Sequence, residues 1–150
     1  MRRAAIACGL GAALLASQPA AAQDWEGLRD ALLEMLGDVL LMDGYVYAGF
    51  AHEGALSQGQ SEDVAIRLGS GLDFAIVGEC EIECSNLDFA LYDAAGTLIA
   101  SDAMLDEFPF IETSPAGASL YRLRVTMTGC EAPACRYAVQ PMVRTSGKAV

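Results

Sequence analysis

The stretch LDFALYDAAGTLIASD, Leu87 to Asp102, decides the fold class. From Leu87 to Leu91 every second residue is Leu or Phe, so these large apolar side chains are predicted to lie on one face of a strand. Residues 93–96, DAAG, have the composition of a tight turn. Residues 97–101 are predicted to return as a second strand, so the repeating unit of the fold is an antiparallel strand pair.

The same alternation recurs along most of the chain after Gly44. Gly, Pro, Ser or Asp residues separate the alternating segments, as expected for turns. The predicted strands are residues 45–51, 63–68, 72–76, 87–91, 97–101, 108–113, 121–127 and 135–143. Seven or eight short strands with regular turns predict a single antiparallel, jelly-roll-like β-sandwich over residues 45–143, followed by a short tail at 144–150.

A helix is predicted ahead of the sandwich, within residues 23–44. Asp24 is expected to cap its start, and Asp43-Gly44 to end it. Apolar residues recur at spacings of three and four, at Trp25, Leu28, Leu32, Met35, Leu36, Val39 and Leu40. This amphipathic stripe is expected to cover the sheet that follows, and a helix that exposes the stripe to a partner is the alternative.

The first 22 residues have the pattern of a bacterial secretory signal peptide. Arg2 and Arg3 form a positive start, residues 4–16 form a short apolar segment, and Ala20–Ala22 supply small residues before a predicted cleavage at Gln23. The apolar segment is short for a membrane span, so no stable membrane insertion is expected. The mature chain is predicted to be exported, either to the periplasm or into the medium.

The composition is strongly acidic. The chain carries a formal net charge of −11, and loss of Arg2 and Arg3 with the leader would take this to −13. Such a surface repels nucleic acids and anionic lipids, so no nucleic-acid partner is expected. It is compatible with high solubility, with cation binding and with a basic partner.

Four cysteines remain after the predicted leader, which itself contains Cys8. An even number in an exported chain favours disulfides. Local pairing, Cys80 with Cys84 and Cys130 with Cys135, requires only that two short loops close. Cross-pairing between the two loops is a serious alternative, because both loops could lie at one end of the sandwich. A zinc site is less favoured, because structural zinc prefers two-residue spacings and an exported chain usually oxidises such thiols first. A redox pair is less favoured, because neither a C-x-x-C motif nor a helix N-terminus accompanies these cysteines.

Carboxylates are the most plausible cation ligands in this sequence. No EF-hand pattern occurs, and most of these acids are expected to form a solvated rim around the strands. The candidates are Glu79, Glu81, Glu83, Asp88, Asp93, Asp102, Asp106 and Glu107. If calcium binds, we expect it near Glu83, Asp88 and Asp102, and we expect no other cofactor.

Catalytic motifs are scarce. His52 is the only histidine and is predicted to lie in a loop, and no G-x-S-x-G motif surrounds any serine. With 20 acidic residues a pair of catalytic carboxylates remains open, but no pattern singles one out. Strand-spaced aromatic residues could form a binding platform, although core packing explains them more simply; these are Tyr45, Tyr47, Phe50, Phe108 and Phe110. We predict no catalytic residues.

Over residues 53–143 the order of motifs resembles bacterial pre-peptidase C-terminal domains. The segments that carry the resemblance are EGALSQGQSEDVAIRLGSGLDFAIVG, LDFALYDAAGTLIASD and PFIETSPAGASLYRLRVTM. The resemblance implies a small jelly-roll-like β-sandwich that accompanies secreted enzymes, and some members of the family bind polymers or calcium. This sequence departs from the family because a helix precedes the domain, the cysteines are not general, and Asn86 stands where an acid is expected.

Together these features predict an exported, non-catalytic accessory or binding module. Its partner would be an extracytoplasmic polymer or protein, with a basic one favoured by the charge of the chain. The alternative is a small secreted hydrolase or an enzyme inhibitor that acts through its loops.

Overall fold

The computed structural model describes residues 20–49, 51–117 and 119–145, which form two packed antiparallel sheets and one helix. The elements are α1 (Ala20–Met42), β1 (Val46–Tyr47), β2 (His52–Leu56), β3 (Ser61–Leu68), β4 (Leu72–Cys80), β5 (Cys84–Tyr92), β6 (Leu98–Asp102), β7 (Phe110–Thr113), β8 (Ser119–Cys130) and β9 (Cys135–Thr145). The first sheet has the order β1–β9–β4–β7, with β2 also paired to β9, and the second has the order β3–β8–β5–β6. The predicted antiparallel β-sandwich is therefore confirmed.

The main core lies between the two sheets. Alternate residues of each strand point inward, as the sequence pattern predicts, and Leu87, Phe89 and Leu91 of β5 are all buried there. They face inward residues of β4 and β9 such as Ile76 and Tyr137 in the same apolar cluster. Burial of this shared interior is the main favourable contribution to stability.

Strand β4 is buried on both faces. Phe74 and Ile76 point into the sandwich, whereas Ala75 and Val77 point outward into a second, smaller apolar cluster. Leu40 belongs to this outer cluster, which places α1 against the outside of the first sheet. The helix therefore covers a sheet face, as its apolar residues predict.

The helix ends as predicted and begins earlier than predicted. Gly44, at φ 83°, adopts the left-handed conformation that favours glycine. Its amide donates to Leu41 O and the Tyr45 amide donates to Leu40 O, the two bonds of a Schellman motif. At the other end α1 begins at Ala20, so Asp24 lies inside the helix and not at its cap. Alanine has the highest helix propensity, which explains the extension.

The buried face of α1 is narrower than the predicted stripe. Trp25 and Leu40 are buried and Leu36 is half-buried, but Met35 and Val39 are exposed to solvent. The side chains of Leu28 and Leu32, also part of the predicted stripe, lie outside the described part of the structure. Residues 1–19 of the predicted signal peptide lie outside the described residues, and the predicted cleavage at Gln23 falls within α1.

The single strand predicted over residues 45–51 is wrong, because Val46–Tyr47 forms the short strand β1 and the next strand, β2, begins only at His52. Both pair with β9, on either side of Pro141. Proline has no amide hydrogen to donate, so pairing is interrupted at this point of the β9 edge. His52 consequently lies in β2 and not in a loop as predicted.

Most of the remaining strands extend the predicted segments, but β6 (Leu98–Asp102) is shifted by one residue from the predicted 97–101 and β7 (Phe110–Thr113) is shorter than the predicted 108–113. Strands β4 and β8 continue to Cys80 and Cys130, and β9 continues to Thr145, where it pairs with Leu72 of β4. The predicted tail is therefore shorter than expected, and residues 146–150 lie outside the described part of the chain. Among the described residues, no helix is long and apolar enough to cross a membrane.

Candidate functional site

The two disulfides seal one end of the sandwich. Cys80 pairs with Cys84 and Cys130 with Cys135, which is the local connectivity expected from the spacing. Each bond closes a connection between a strand of one sheet and a strand of the other. Cys84 and Cys130 lie opposite each other in neighbouring strands, so both bonds occupy the same end of the molecule. Sulfurs bonded in this way are not available as zinc ligands.

The loop of residues 103–109, between β6 and β7, lies at this sealed end. The carbonyl oxygen of Glu107 is 3.8 Å from the Cys80 sulfur. The backbone of the loop is tied to both sheets, because the Leu87 amide donates to Asp106 O at 3.0 Å and the Gly78 amide donates to Pro109 O at 2.8 Å. The base of the 103–109 loop is thus fixed to the most constrained part of the fold.

Two aspartates also fix the loop from within. Asp102 accepts the Met104 amide at one carboxylate oxygen, 3.1 Å away, and the Phe110 amide at the other, 2.8 Å away. Asp106 accepts the Phe108 amide at 3.0 Å. These bonds satisfy backbone donors that a short loop would otherwise leave to water, and they hold the loop in one conformation.

The tip of the loop presents apolar side chains to solvent. Leu105 is 91% exposed and Met104 is 67% exposed. Ile82, in the Cys80–Cys84 loop at the same end, is 85% exposed. The side chains of Asp106 and Glu107 follow directly in sequence. A rigid loop that displays large apolar side chains beside carboxylates can insert into an apolar pocket whose rim is basic.

The predicted calcium ligands are not brought together. Asp102 accepts the amides of Met104 and Phe110, and Asp88 accepts the Thr128 hydroxyl at 2.8 Å. Glu83 is exposed in the Cys80–Cys84 loop. Within the residues that the structure describes, no group of three or more His, Cys, Asp or Glu side chains is placed to hold a metal ion. Calcium binding therefore stays a prediction from composition alone.

Two of the other candidate acids have structural roles. Asp93 accepts the amides of Ala95 and Thr97 in the β5–β6 turn, and Glu81 accepts the Arg136 amide at 2.8 Å. The alternative of an aromatic binding platform does not include Tyr45, which is buried under α1 as core packing predicts. Phe50 lies outside the described residues.

His52 lies at the open edge between the sheets, where β2 and β3 meet. Its Nε2 is 3.1 Å from Glu62 Oε1, and Tyr137 donates its hydroxyl to Glu62 Oε2 at 2.6 Å. Burial and the Glu62 carboxylate raise the pKa of Tyr137 far above its ordinary range. A cleft of about 240 Å³ opens beside this cluster, with Val64, Val139 and other mostly apolar residues in its walls.

This cluster does not have the arrangement of a nucleophilic triad. His52 contacts an acid and a tyrosine, and in the described part of the chain no serine hydroxyl is hydrogen-bonded to it. The cluster closes the edge of the sandwich, because Tyr137 is fully buried while it bridges from β9 to β3.

Sequence reasoning missed the burial of Glu79 and the prominence of Met104 and Leu105. Glu79 lies on the same face of β4 as Ala75 and Val77. Residues 74–77 are apolar without alternation, and this continuous run was the available signal that both faces of β4 are covered. For the 103–109 loop, the available signal was that Met104 and Leu105 stand between acidic residues in a segment without the hydrophobic periodicity of a strand or a helix. That signal does not distinguish a displayed loop from a buried one.

No family model matches the chain, and no curated protein matches it. A distant structural likeness is found to the crystal structure of Aeromonas hydrophila PliG, described as a periplasmic lysozyme inhibitor of g-type lysozyme. The TM-score is 0.47 at 8% sequence identity, over 63% of this chain and 85% of that chain. At this TM-score the likeness identifies neither a shared fold family nor a function.

Proposed function

We propose that this chain is an exported, non-catalytic module that binds a protein through its 103–109 loop. The observation that carries the proposal is the fixed presentation of Met104 and Leu105 at the disulfide-sealed end. The partner we propose is a basic protein with an apolar pocket. Export is supported by the two disulfides, which persist outside reducing compartments, and by the signal-like first 22 residues.

Rigidity is the first argument for the loop. A binding loop that is already ordered loses little conformational entropy when it docks, so more of its contact energy appears as affinity. Asp102 and Asp106 supply that order through three backbone hydrogen bonds. Side chains that fill a well-packed pocket at the centre of a contact are those whose truncation most weakens binding.

Charge is the second argument. A net charge of −11 attracts a basic partner over a distance and raises the rate of encounter, and added salt reduces this effect. The motif order that resembles pre-peptidase C-terminal domains supports an accessory role in the same compartment.

The experiment compares two matched variants of the full chain, exported through its own leader. Leu105→Gln removes the apolar tip of the loop without changing the charge. Met42→Gln makes a comparable change at an exposed apolar residue at the end of α1. Affinity is measured by calorimetry against a panel of purified basic extracytoplasmic proteins that includes a g-type lysozyme. We expect Leu105→Gln to weaken binding at least tenfold, about 1.4 kcal/mol, and Met42→Gln to leave it unchanged.

Equal effects of the two variants would reject the loop as the contact surface. Binding that does not weaken with salt would reject the role of charge. Capture of a polysaccharide from the same compartment, with no protein bound, would favour a polymer-binding module.

An inhibitor of a basic secreted hydrolase is the second candidate. The exposure of Met104 and Leu105 on an ordered loop favours it, because such a loop can occupy an active-site cleft. Inhibition that is lost in Leu105→Gln would identify this role within the general proposal. Turnover of a hydrolase substrate by the chain itself, abolished by His52→Asn, would contradict a non-catalytic function.

A further inference from the structure

Glu79 is a fully buried carboxyl group on the outer face of the first sheet. In the described part of the structure neither of its side-chain oxygens has a hydrogen-bond partner. It lies in one cross-strand row with Ala138 of β9 and Glu53 of β2. Burial without hydrogen-bond partners strongly disfavours the ionised form of a carboxyl group.

The charged groups around Glu79 belong to α1, to β2 and to β9, where Arg136 lies on the same sheet face as Ala138, the cross-strand neighbour of Glu79. Burial raises its pKa from the ordinary 4.5 to about 8, which the nearby guanidinium of Arg29 opposes and the carboxylates of Asp30 and Glu53 reinforce. Arg29 is itself paired with Glu53 and Asp30, so it does not pair directly with Glu79. Trp25, the only tryptophan, is buried at this end of the helix.

The two ends of α1 are attached differently. At the C-terminal end Leu40 and Tyr45 pack in the outer apolar cluster, and Tyr45 donates its hydroxyl to Glu112 at 2.8 Å. Arg144 stacks on the Tyr45 ring at 4.4 Å and pairs with Asp73. Among the described side chains at the N-terminal end, Trp25 is buried and Arg29 pairs with Glu53, the β2 residue in the same cross-strand row as Glu79.

We propose that the N-terminal half of α1 is a pH-dependent cap on the first sheet, held closed by the neutral form of Glu79. When the cap opens, water reaches the carboxyl, which releases its proton to solvent and becomes a hydrated carboxylate. The C-terminal half of the helix stays anchored through Leu40 and Tyr45. The inference does not depend on the function of the 103–109 loop.

The direction of the pH effect follows from proton linkage. Between about pH 4.5 and pH 8 the closed state holds a proton that the open state has lost, so closure weakens as pH rises. The closing equilibrium falls by up to about tenfold per pH unit in this range. Above pH 8 both states are ionised and the effect levels off, and below pH 4.5 both are protonated.

The test is hydrogen exchange of the full chain between pH 5 and pH 9, corrected for the intrinsic exchange rate. We expect protection of amides in the first half of α1 to fall steeply with pH, while amides of β8 keep theirs. Acrylamide quenching of Trp25 should rise over the same range. Glu79→Gln should abolish both pH dependences, because the amide has no proton to lose. Glu83→Gln, the same change at an exposed acid, should leave both as in the wild type.

Three results would overturn the inference. Protection of α1 that does not change with pH would show that Glu79 does not control closure. A parallel loss in β8 would show global unfolding and not a local cap. A carboxyl carbon signal of Glu79 that titrates near 4.5 in the wild type would show that the group is hydrated, and this measurement needs no variant.

Discussion

Tyr137 determines how the open edge of the sandwich is closed. Its ring is fully buried, and a Cβ atom on Gly54 in the adjacent strand would lie 2.5 Å from its hydroxyl oxygen. Only glycine leaves room for the ring to reach across β2 toward β3, where its hydroxyl donates to Glu62. The contacts of Tyr137 and His52 with Glu62 therefore close this edge between the two sheets.

Tyr137→Phe should destabilise the fold by about 1–2 kcal/mol, because it removes the hydrogen bond to the Glu62 carboxylate. The loss is limited because this carboxylate is partly exposed and can bind water in place of the hydroxyl. The measurement is urea unfolding at neutral pH. The matched control is Tyr121→Phe, whose hydroxyl lies 3.5 Å from Gly117 O and should cost less than about 0.5 kcal/mol. Similar losses in the two variants would contradict the importance of the Glu62 contact.

At the scale of elements, alternation along the chain was sufficient to locate most strands. The positions of β3, β5 and β8 follow from period-two patterns that depend only on neighbouring residues. The break between β1 and β2 could not be predicted in this way, because its cause is Pro141, which lies about 90 residues further along the sequence and meets them only in the folded sheet. Local patterns predict elements better than they predict which elements meet.

The candidate site was less predictable for the same reason. Asp102 was predicted as a calcium ligand, which stays a prediction, and the structure shows its carboxylate accepting the amides of Met104 and Phe110. The burial of Glu79 depends on α1 lying over β4, which is a contact between distant parts of the chain. The sequence identifies which residue types are present, whereas the surroundings of each side chain are known only once the fold is known.

Removing either disulfide as a pair of Cys→Ala changes should lower the free energy of unfolding by about 2 kcal/mol, as expected for closing a loop of four or five residues. The double removal should differ from the sum of the two, since Cys84 and Cys130 are cross-strand neighbours and share their surroundings. Thermal and urea unfolding of the three variants measure both effects. Strict additivity would indicate that the two loops are energetically independent.

At the scale of the whole molecule, charge opposes compactness. The full chain carries a formal net charge of −11 and has a pI near 4.3. At neutral pH its carboxylates therefore repel one another across the surface. Ion pairs such as Asp63 with Arg122 and Arg124 relieve this only locally. Exposed pairs of this kind contribute little to stability.

Added salt should therefore stabilise the protein. Raising NaCl from about 10 mM to about 0.15 M shortens the screening length from about 30 Å to about 8 Å, and we expect the melting temperature at pH 7.5 to rise by roughly 3 °C. The control is the same comparison near pH 4.3, where the net charge vanishes and salt should have little effect. A fall in melting temperature at pH 7.5 would show that attractive pairs outweigh repulsion.

The short span of each disulfide has a consequence for biogenesis. Cys80 and Cys84 are four positions apart, and Cys130 and Cys135 are five apart. A chain that crosses a membrane with its N-terminus first presents Cys80 and Cys84 to the oxidising machinery before Cys130 has emerged. The first bond can then form within a nascent segment, so Cys84 is already occupied when its folded neighbour Cys130 arrives. Vectorial translocation alone would thereby set the correct pairing, without a later need for isomerase-catalysed exchange.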